Sequence, residues 1–233
     1  NVTGNMASGL HFSGVANITG QSFGGLMASG LLNVVGEHMN GLQIAGIANI
    51  TASKLNGVQV ALCNYATKAR GLQIGLVNYY KEDMKGFQLG LVNANPDTKV
   101  QMMVYGGNAT PANIGVRFKN QLFYTILGVG SMYQGLNDKF SASASYRAGL
   151  SFPLYKGLSI SGDLGYQHIE AFDNKDEVIP KRLYALQARA NLEYQFTKKF
   201  GIFATGGYGV TRFYNKSSNY DKGAIIEAGI VLF

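Results

Sequence analysis

Two short constellations in this chain could carry acid–base or nucleophilic chemistry: His11 with Ser13, and His168 with Glu170. Each pair is two residues apart, so on an extended chain both side chains leave the same face. A histidine beside a hydroxyl or a carboxylate is part of a hydrolytic triad, and a lipid hydrolase is the activity such pairs would suggest. The missing member would have to come from a neighbouring strand, and no fixed spacing supplies it. The simpler reading makes His11 a polar lining residue and His168 an interface residue, with His38 solvated in the turn Glu37-His38-Met39-Asn40. Metal binding calls for clustered Cys and His, whereas the histidines here are scattered. Cys63 stands alone, a small packing residue with no disulfide partner. Gly206-Gly207-Tyr208-Gly209 lies inside an alternating pattern and opens no helix, so it is not a phosphate-cradling loop. The sequence therefore implies no catalytic residue, no metal and no cofactor.

A second group of chemically capable residues consists of charges and amides embedded in strand-like alternation. Arg147, Asp163, Arg189, Glu193 and Glu227 all fall on the polar parity of their segments in the C-terminal half. The N-terminal half contributes only neutral groups at the corresponding parity, Gln43, Asn49, Gln59, Gln73 and Gln88, together with Asn17 and Asn33. If all face one lumen, one wall is charged and the other is lined by amides. Mixed signs give no ion preference, and two roles stay open: selectivity, or pairing across strands that merely solvates the interior.

The elements that would position these groups are strands. Glycine recurs at Gly9, Gly25, Gly41, Gly57, Gly71 and Gly86, and asparagine at Asn1, Asn17, Asn33, Asn49, Asn64, Asn78 and Asn93, a beat of about sixteen residues. Within one copy, Leu42, Ile44, Gly46, Ala48 and Ile50 alternate with Gln43, Asn49 and Thr51. An apolar face opposite a polar one suits a strand with lipid on one side and a polar lumen on the other. The C-terminal half keeps the alternation without the repeat: Tyr184, Leu186, Ala188, Ala190, Leu192 and Tyr194 oppose Gln187, Arg189, Asn191 and Glu193.

Composition points the same way. Only 14% of the 233 residues are charged, and no apolar run approaches the ~20 residues of a transmembrane helix. A membrane-compatible chain without helices leaves the closed barrel. Strands are expected at 9–20, 25–36, 41–52, 57–66, 71–80, 86–94, 99–107, 112–119, 122–134, 140–155, 157–171, 181–197, 200–214 and 222–233. The expected fold is thus all-β, a single antiparallel transmembrane β-barrel of about 14 strands over 1–233, with 1–98 repeat-built and 99–233 not. The alternative is an N-terminal β-solenoid over 1–98 followed by an eight-stranded barrel over 99–233, since asparagine ladders also arise when short strands stack in parallel. Four-residue segments such as Thr51-Ala52-Ser53-Lys54 look like hairpin turns and favour the single barrel. Connections at 134–139, 172–181 and 214–221 are longer and polar, while those near 119–121, 154–157 and 197–199 are short. No signal peptide is visible, so a processed or truncated start is expected.

The motifs Gly41-Leu-Gln-Ile-Ala-Gly-Ile-Ala-Asn49, Gly57-Val-Gln-Val-Ala-Leu-Cys-Asn64, Gly71-Leu-Gln-Ile-Gly-Leu-Val-Asn78 and Gly86-Phe-Gln-Leu-Gly-Leu-Val-Asn93 resemble short surface repeats of predicted outer-membrane proteins from Bacteroidota and spirochaetes. The resemblance covers residues 1–95 and implies location more than activity. Phe233, the last residue of a strand, is similar to the terminal aromatic of outer-membrane barrels. From the fourth copy on, one residue is lost between Gly and Asn, which puts Asn64 and Asn78 on the apolar parity unless a bulge restores them. A barrel of fourteen strands is too wide for its side chains to fill, so a passive channel for small polar solutes is expected. A non-catalytic structural or partner-binding subunit of an outer-membrane complex is the alternative. The expected partners are outer-membrane lipids and lipopolysaccharide and, in the alternative, another outer-membrane protein. A net charge of +7 scattered over turns fits anionic head groups rather than nucleic acid.

Overall fold

The computed structural model describes residues 1–131, 140–172, 182–215 and 218–233. Those residues form strands and turns only, in two compact units, Asn1–Thr98 and Lys99–Phe233. A single fourteen-stranded barrel is therefore not what the chain forms.

The first unit contains β1 (Val2–Thr3), β2 (Ala7–Ser13), β3 (Ala16–Thr19), β4 (Phe23–Ser29), β5 (Leu32–Val35), β6 (His38–Ala45), β7 (Ala48–Val60), β8 (Cys63–Ile74), β9 (Val77–Leu89) and β10 (Val92–Ala94). Every pairing among them is parallel and joins one repeat to the next. One path runs β1-β3-β5-β7 and another β2-β4-β6-β7, and β7, β8 and β9 are long enough to serve both. Segments expected to be hairpin turns are instead corners: Ala52-Ser53 bends β7 and Thr67 bends β8, where the register shifts.

Like residues consequently stack on like. Gly25 pairs with Gly41, Gly41 with Gly57 and Gly57 with Gly71, while Asn33 pairs with Asn49 and Asn49 with Asn64. Antiparallel hairpins would have set each asparagine against an unrelated residue. The parallel register lets the amides of the Asn and Gln columns hydrogen-bond their own counterparts, which is why it prevails despite an alternation that either arrangement would satisfy. Glycine is obligatory in its column, because at Gly57, with φ +141°, an added Cβ would lie 1.9 Å from the Gly41 carbonyl oxygen. The residue lost from the later copies comes out of a corner: Ile44-Ala45-Gly46-Ile47-Ala48 becomes Val60-Ala61-Leu62-Cys63. Asn64 and Asn78 therefore stay inside, and no bulge within the strand is needed. Phe23, Met27, Val35, Met39 and Leu55 fill the rest of this interior.

The second unit is a closed antiparallel barrel of eight strands. They are β11 (Lys99–Gly107), β12 (Ala112–Asn120), β13 (Phe123–Ser131), β14 (Ser141–Tyr155), β15 (Leu158–Ala171), β16 (Arg182–Thr197), β17 (Phe200–Phe213) and β18 (Asn219–Leu232), and β18 closes on β11. All eight match strands expected from alternation, to within three residues at either end. Following paired residues once round the barrel gives a stagger of about ten residues, which tilts the strands by roughly 40°. Gln121-Leu122, Lys156-Gly157 and Lys198-Lys199 make tight turns at one end, where the chain also enters at Lys99 and leaves at Leu232. The connections expected to be longer include residues 132–139, 173–181 and 216–217, Pro180 among them, which fall outside the described residues.

Polarity is inverted relative to a water-soluble domain. Leu164 is 72% and Ile226 67% exposed, whereas Arg147 is 1% and Glu227 3% exposed. Aromatic rings gather in two belts on the outer wall, Tyr194, Phe196 and Phe200 near the tight turns and Tyr166, Tyr184 and Tyr214 near the other end. Ten residues of tilted β16 separate Tyr184 from Tyr194, a height of about 25 Å, the height of the apolar band on membrane barrels.

Candidate functional site in the barrel interior

Inward side chains of all eight strands contribute to a buried polar network. Arg147 on β14 faces Asp163 on β15 through two parallel hydrogen bonds, Nε to Oδ1 and Nη2 to Oδ2, both 2.8 Å. Asp163 also accepts from Tyr124 Oη and Asn191 Nδ2, each at 2.8 Å. Asn191 accepts in turn from Arg147 Nη2 at 3.1 Å and from Thr205 Oγ1 at 2.6 Å. Arg189 grips Glu227 with Nε and Nη2, both at 3.1 Å, and Arg147 Nη1 approaches the same carboxylate at 3.6 Å. Nearer the tight-turn end, Arg117 forks onto Glu193 at 2.6 and 3.0 Å while its Nε donates to Gln101 at 2.6 Å. Planar guanidinium against planar carboxylate gives the strongest geometry for such pairs, and three cations against three anions leave this network without net charge.

Sequence alternation placed Arg147, Asp163, Arg189, Glu193 and Glu227 on one side, and the structure brings all five together in the barrel. Arg117 was overlooked although it alternates with Ile114 and Val116 on the short strand β12; its parity was the available signal. Asn191 shares the polar parity of Gln187, Arg189 and Glu193 on β16, but its hydrogen bonds, like those of Tyr124, depend on which strands become neighbours. The interior is also part apolar, with Met103, Tyr105, Ile126, Phe203 and Val231 packed together against the ion pairs. Between Met103, Arg117, Tyr124 and Phe203 the free volume is about 10 Å³, room for about one water. A wide water-filled lumen was an expectation of fourteen strands; eight strands enclose only what side chains fill. A recess of about 480 Å³ opens at the tight-turn end beside Lys99, Lys119, Glu193 and Phe233.

The amide residues do not line this barrel. Gln43, Asn49, Gln59, Gln73 and Gln88 belong to the first unit, where they are buried inside the parallel stack. Asn33 Nδ2 donates to Asn49 Oδ1 at 2.9 Å, and Asn49 to Asn64 at 3.1 Å; each also donates to a backbone carbonyl, Ile44 and Val60 respectively. A second ladder runs Gln88 to Gln73 to Gln59 to Gln43 at 2.9, 2.9 and 2.8 Å. With partners on both sides, these amides act structurally.

His11 points into the stack and meets the Phe23 ring edge-on at 4.8 Å between centroids, and His38 is exposed at the start of β6. His168 sits on the outer wall, 2.7 Å from Tyr214 Oη and 3.4 Å from Glu170, so its hydroxyl neighbour is a tyrosine rather than a serine. Cys63 is exposed rather than packed. Among the described residues no three of His, Cys, Asp and Glu converge to hold a metal.

No family model matches this chain, and no curated protein does. Among solved structures it is similar to the N-terminal β-barrel domain of Pseudomonas aeruginosa OprF, at 16% identity over 57% of this chain and 93% of that one, with a TM-score of 0.40. It is also similar to Neisserial surface protein A (NspA), at 9% identity over 57% of this chain and 92% of that one, with a TM-score of 0.38.

Proposed function

We propose that residues 99–233 are an integral outer-membrane β-barrel that acts as a closed, non-catalytic anchor, and that residues 1–98 form a β-solenoid it holds at the membrane. The observation that carries the first part is the inversion: aliphatic side chains and two aromatic belts outside, paired charges inside. In water such a wall would expose far more apolar surface than soluble domains tolerate, and in lipid it is the favourable arrangement. The interior ion pairs favour an anchor over a channel, because ions would have to displace Arg147 and Glu227 from partners they already hold. The partner-binding role then belongs to the repeats, whose stacked surface is the larger part of the chain outside the barrel.

Planar-bilayer recordings of the purified full chain test this reading. Verified insertion without conductance steps is expected. Reproducible open steps would mean that the ion-pair network parts to form a path, and would restore the channel reading.

A further inference from the structure

The end of the barrel with the tight turns carries a charge pattern that the interior does not. Lys99, Lys119, Lys156, Lys198 and Lys199 all lie there, and Glu193 is the one acidic side chain lining the recess of about 480 Å³ at that mouth. Both oxygens of Glu193 are taken, since Arg117 forks onto them at 2.6 and 3.0 Å. That pair crosses from β12 to β16, strands that stand opposite one another in a ring of eight, and with Gln101 it closes the inner side of the recess. The remaining lining comes from β11, β12, the turn between β14 and β15, β16 and β18, so the recess is the mouth of the barrel rather than a dent in its outer wall.

Two lysines project into this mouth. Lys99 and Lys119 share the inward parity of Gln101 and Arg117 and stand directly opposite each other on β11 and β12, with Cα atoms about 5 Å apart. Like charges set across a strand pair destabilise the sheet, yet among the described residues neither lysine forms an ion pair. Lys119 donates to Ser151 Oγ at 2.8 Å, which leaves its ammonium two further hydrogens. Lys156 lies at the lip, its ammonium 5.4 Å above the Tyr155 ring. A cleft lined by one sign of charge between low-dielectric walls focuses its field on any counter-ion that enters. The volume is in the ordinary range for small-molecule sites, and Tyr155, Leu158 and Phe233 add apolar surface for the rest of a ligand.

We propose that the mouth of the barrel binds a small organic phosphate monoester, its phosphate held between Lys99 and Lys119 and its body packed against Tyr155 and Phe233. Two ammonium groups without ion-pair partners match a phosphate monoester, which is nearly dianionic at neutral pH, better than they match a singly charged carboxylate. Lysine suits a phosphate as a rotatable point charge. The inward parity of both lysines selects a dissolved ligand over a lipid head group, whose acyl chains stay outside the barrel wall. This goes beyond the anchor reading, which gives the mouth no ligand.

Phenyl phosphate titrated into the full-length protein in dodecylmaltoside micelles, at constant ionic strength and about pH 8, above the second phosphate pKa, tests the site by calorimetry. Saturable one-site binding is expected. Lys99→Gln and Lys119→Gln should each weaken it about tenfold, while Lys99→Arg and Lys119→Arg keep the charge and retain it. Lys198→Gln, at the same end but outside the recess, should leave it unchanged. Equal weakening by Lys198→Gln would mean general attraction to a basic rim and overturns the site, as does an absence of saturable binding by protein whose heat-modifiable mobility shows a folded barrel. Benzoate binding as tightly as phenyl phosphate overturns the choice of a phosphate. Phosphatidic acid added to the micelles should not compete; displacement by it would make a lipid head group the occupant and overturn the dissolved ligand.

Discussion

Asp163 shows how much of the barrel's cohesion is concentrated in single side chains. Its carboxylate receives Arg147, Tyr124 and Asn191 at once, and Arg147 is almost wholly enclosed. Asp163→Ala would strand a guanidinium whose nearest remaining carboxylate, Glu227, is 3.6 Å from Nη1 and already engaged by Arg189. Leaving a buried charge uncompensated costs about 3–5 kcal/mol, whereas replacing both partners by apolar groups of similar volume costs far less. We therefore expect Asp163→Ala to lower barrel stability by about that amount and Arg147→Met with Asp163→Leu to recover most of it. Urea unfolding in lipid vesicles, followed by the change in electrophoretic mobility, would measure both; equal losses in the two variants would contradict the account.

At the scale of elements, the rung is the unit of construction. Because Gly41 sits on Gly25 and carries Gly57, and Asn49 links Asn33 to Asn64, each repeat contacts only its neighbours. Excising residues 41–56 joins Asn40 to Gly57 and brings like residues back into the same columns. Such a chain should fold with a modest loss, that of one rung, while excising only 41–48 puts Asn49 in the glycine column and should destroy the stack. Thermal unfolding of the two full-length deletion variants, followed by circular dichroism, distinguishes them. Strand content was legible here from alternation alone, and so was the inward face of Gln43 and Asn49. Pairing direction was not, because side chains alternate identically in parallel and antiparallel strands.

For the whole molecule, connectivity has a topological consequence. The chain enters and leaves the barrel at the end with the tight turns, the end that faces the periplasm in bacterial barrels. On the outer-membrane reading, residues 1–98 then lie on the periplasmic side. A single thiol placed by Ala52→Cys in a Cys63→Ala background should react with a membrane-impermeant maleimide only after the outer membrane is permeabilised. Labelling of intact cells would place the tight turns outside.

The sequence by itself determined an all-β chain, its sixteen-residue period, the inward parity of Arg147, Asp163, Arg189, Glu193 and Glu227, and the eight strands from Lys99 onward. These are local properties: which face a side chain takes follows from its neighbours two residues away. Only the tertiary structure decided that Gln59 and Glu193 lie in different interiors, that the repeats stack in parallel, and that the barrel closes at eight strands with its centre filled. Those outcomes depend on which distant backbones hydrogen-bond, and that choice turns on whether a buried amide meets its own kind one rung away or a guanidinium meets a carboxylate across the barrel.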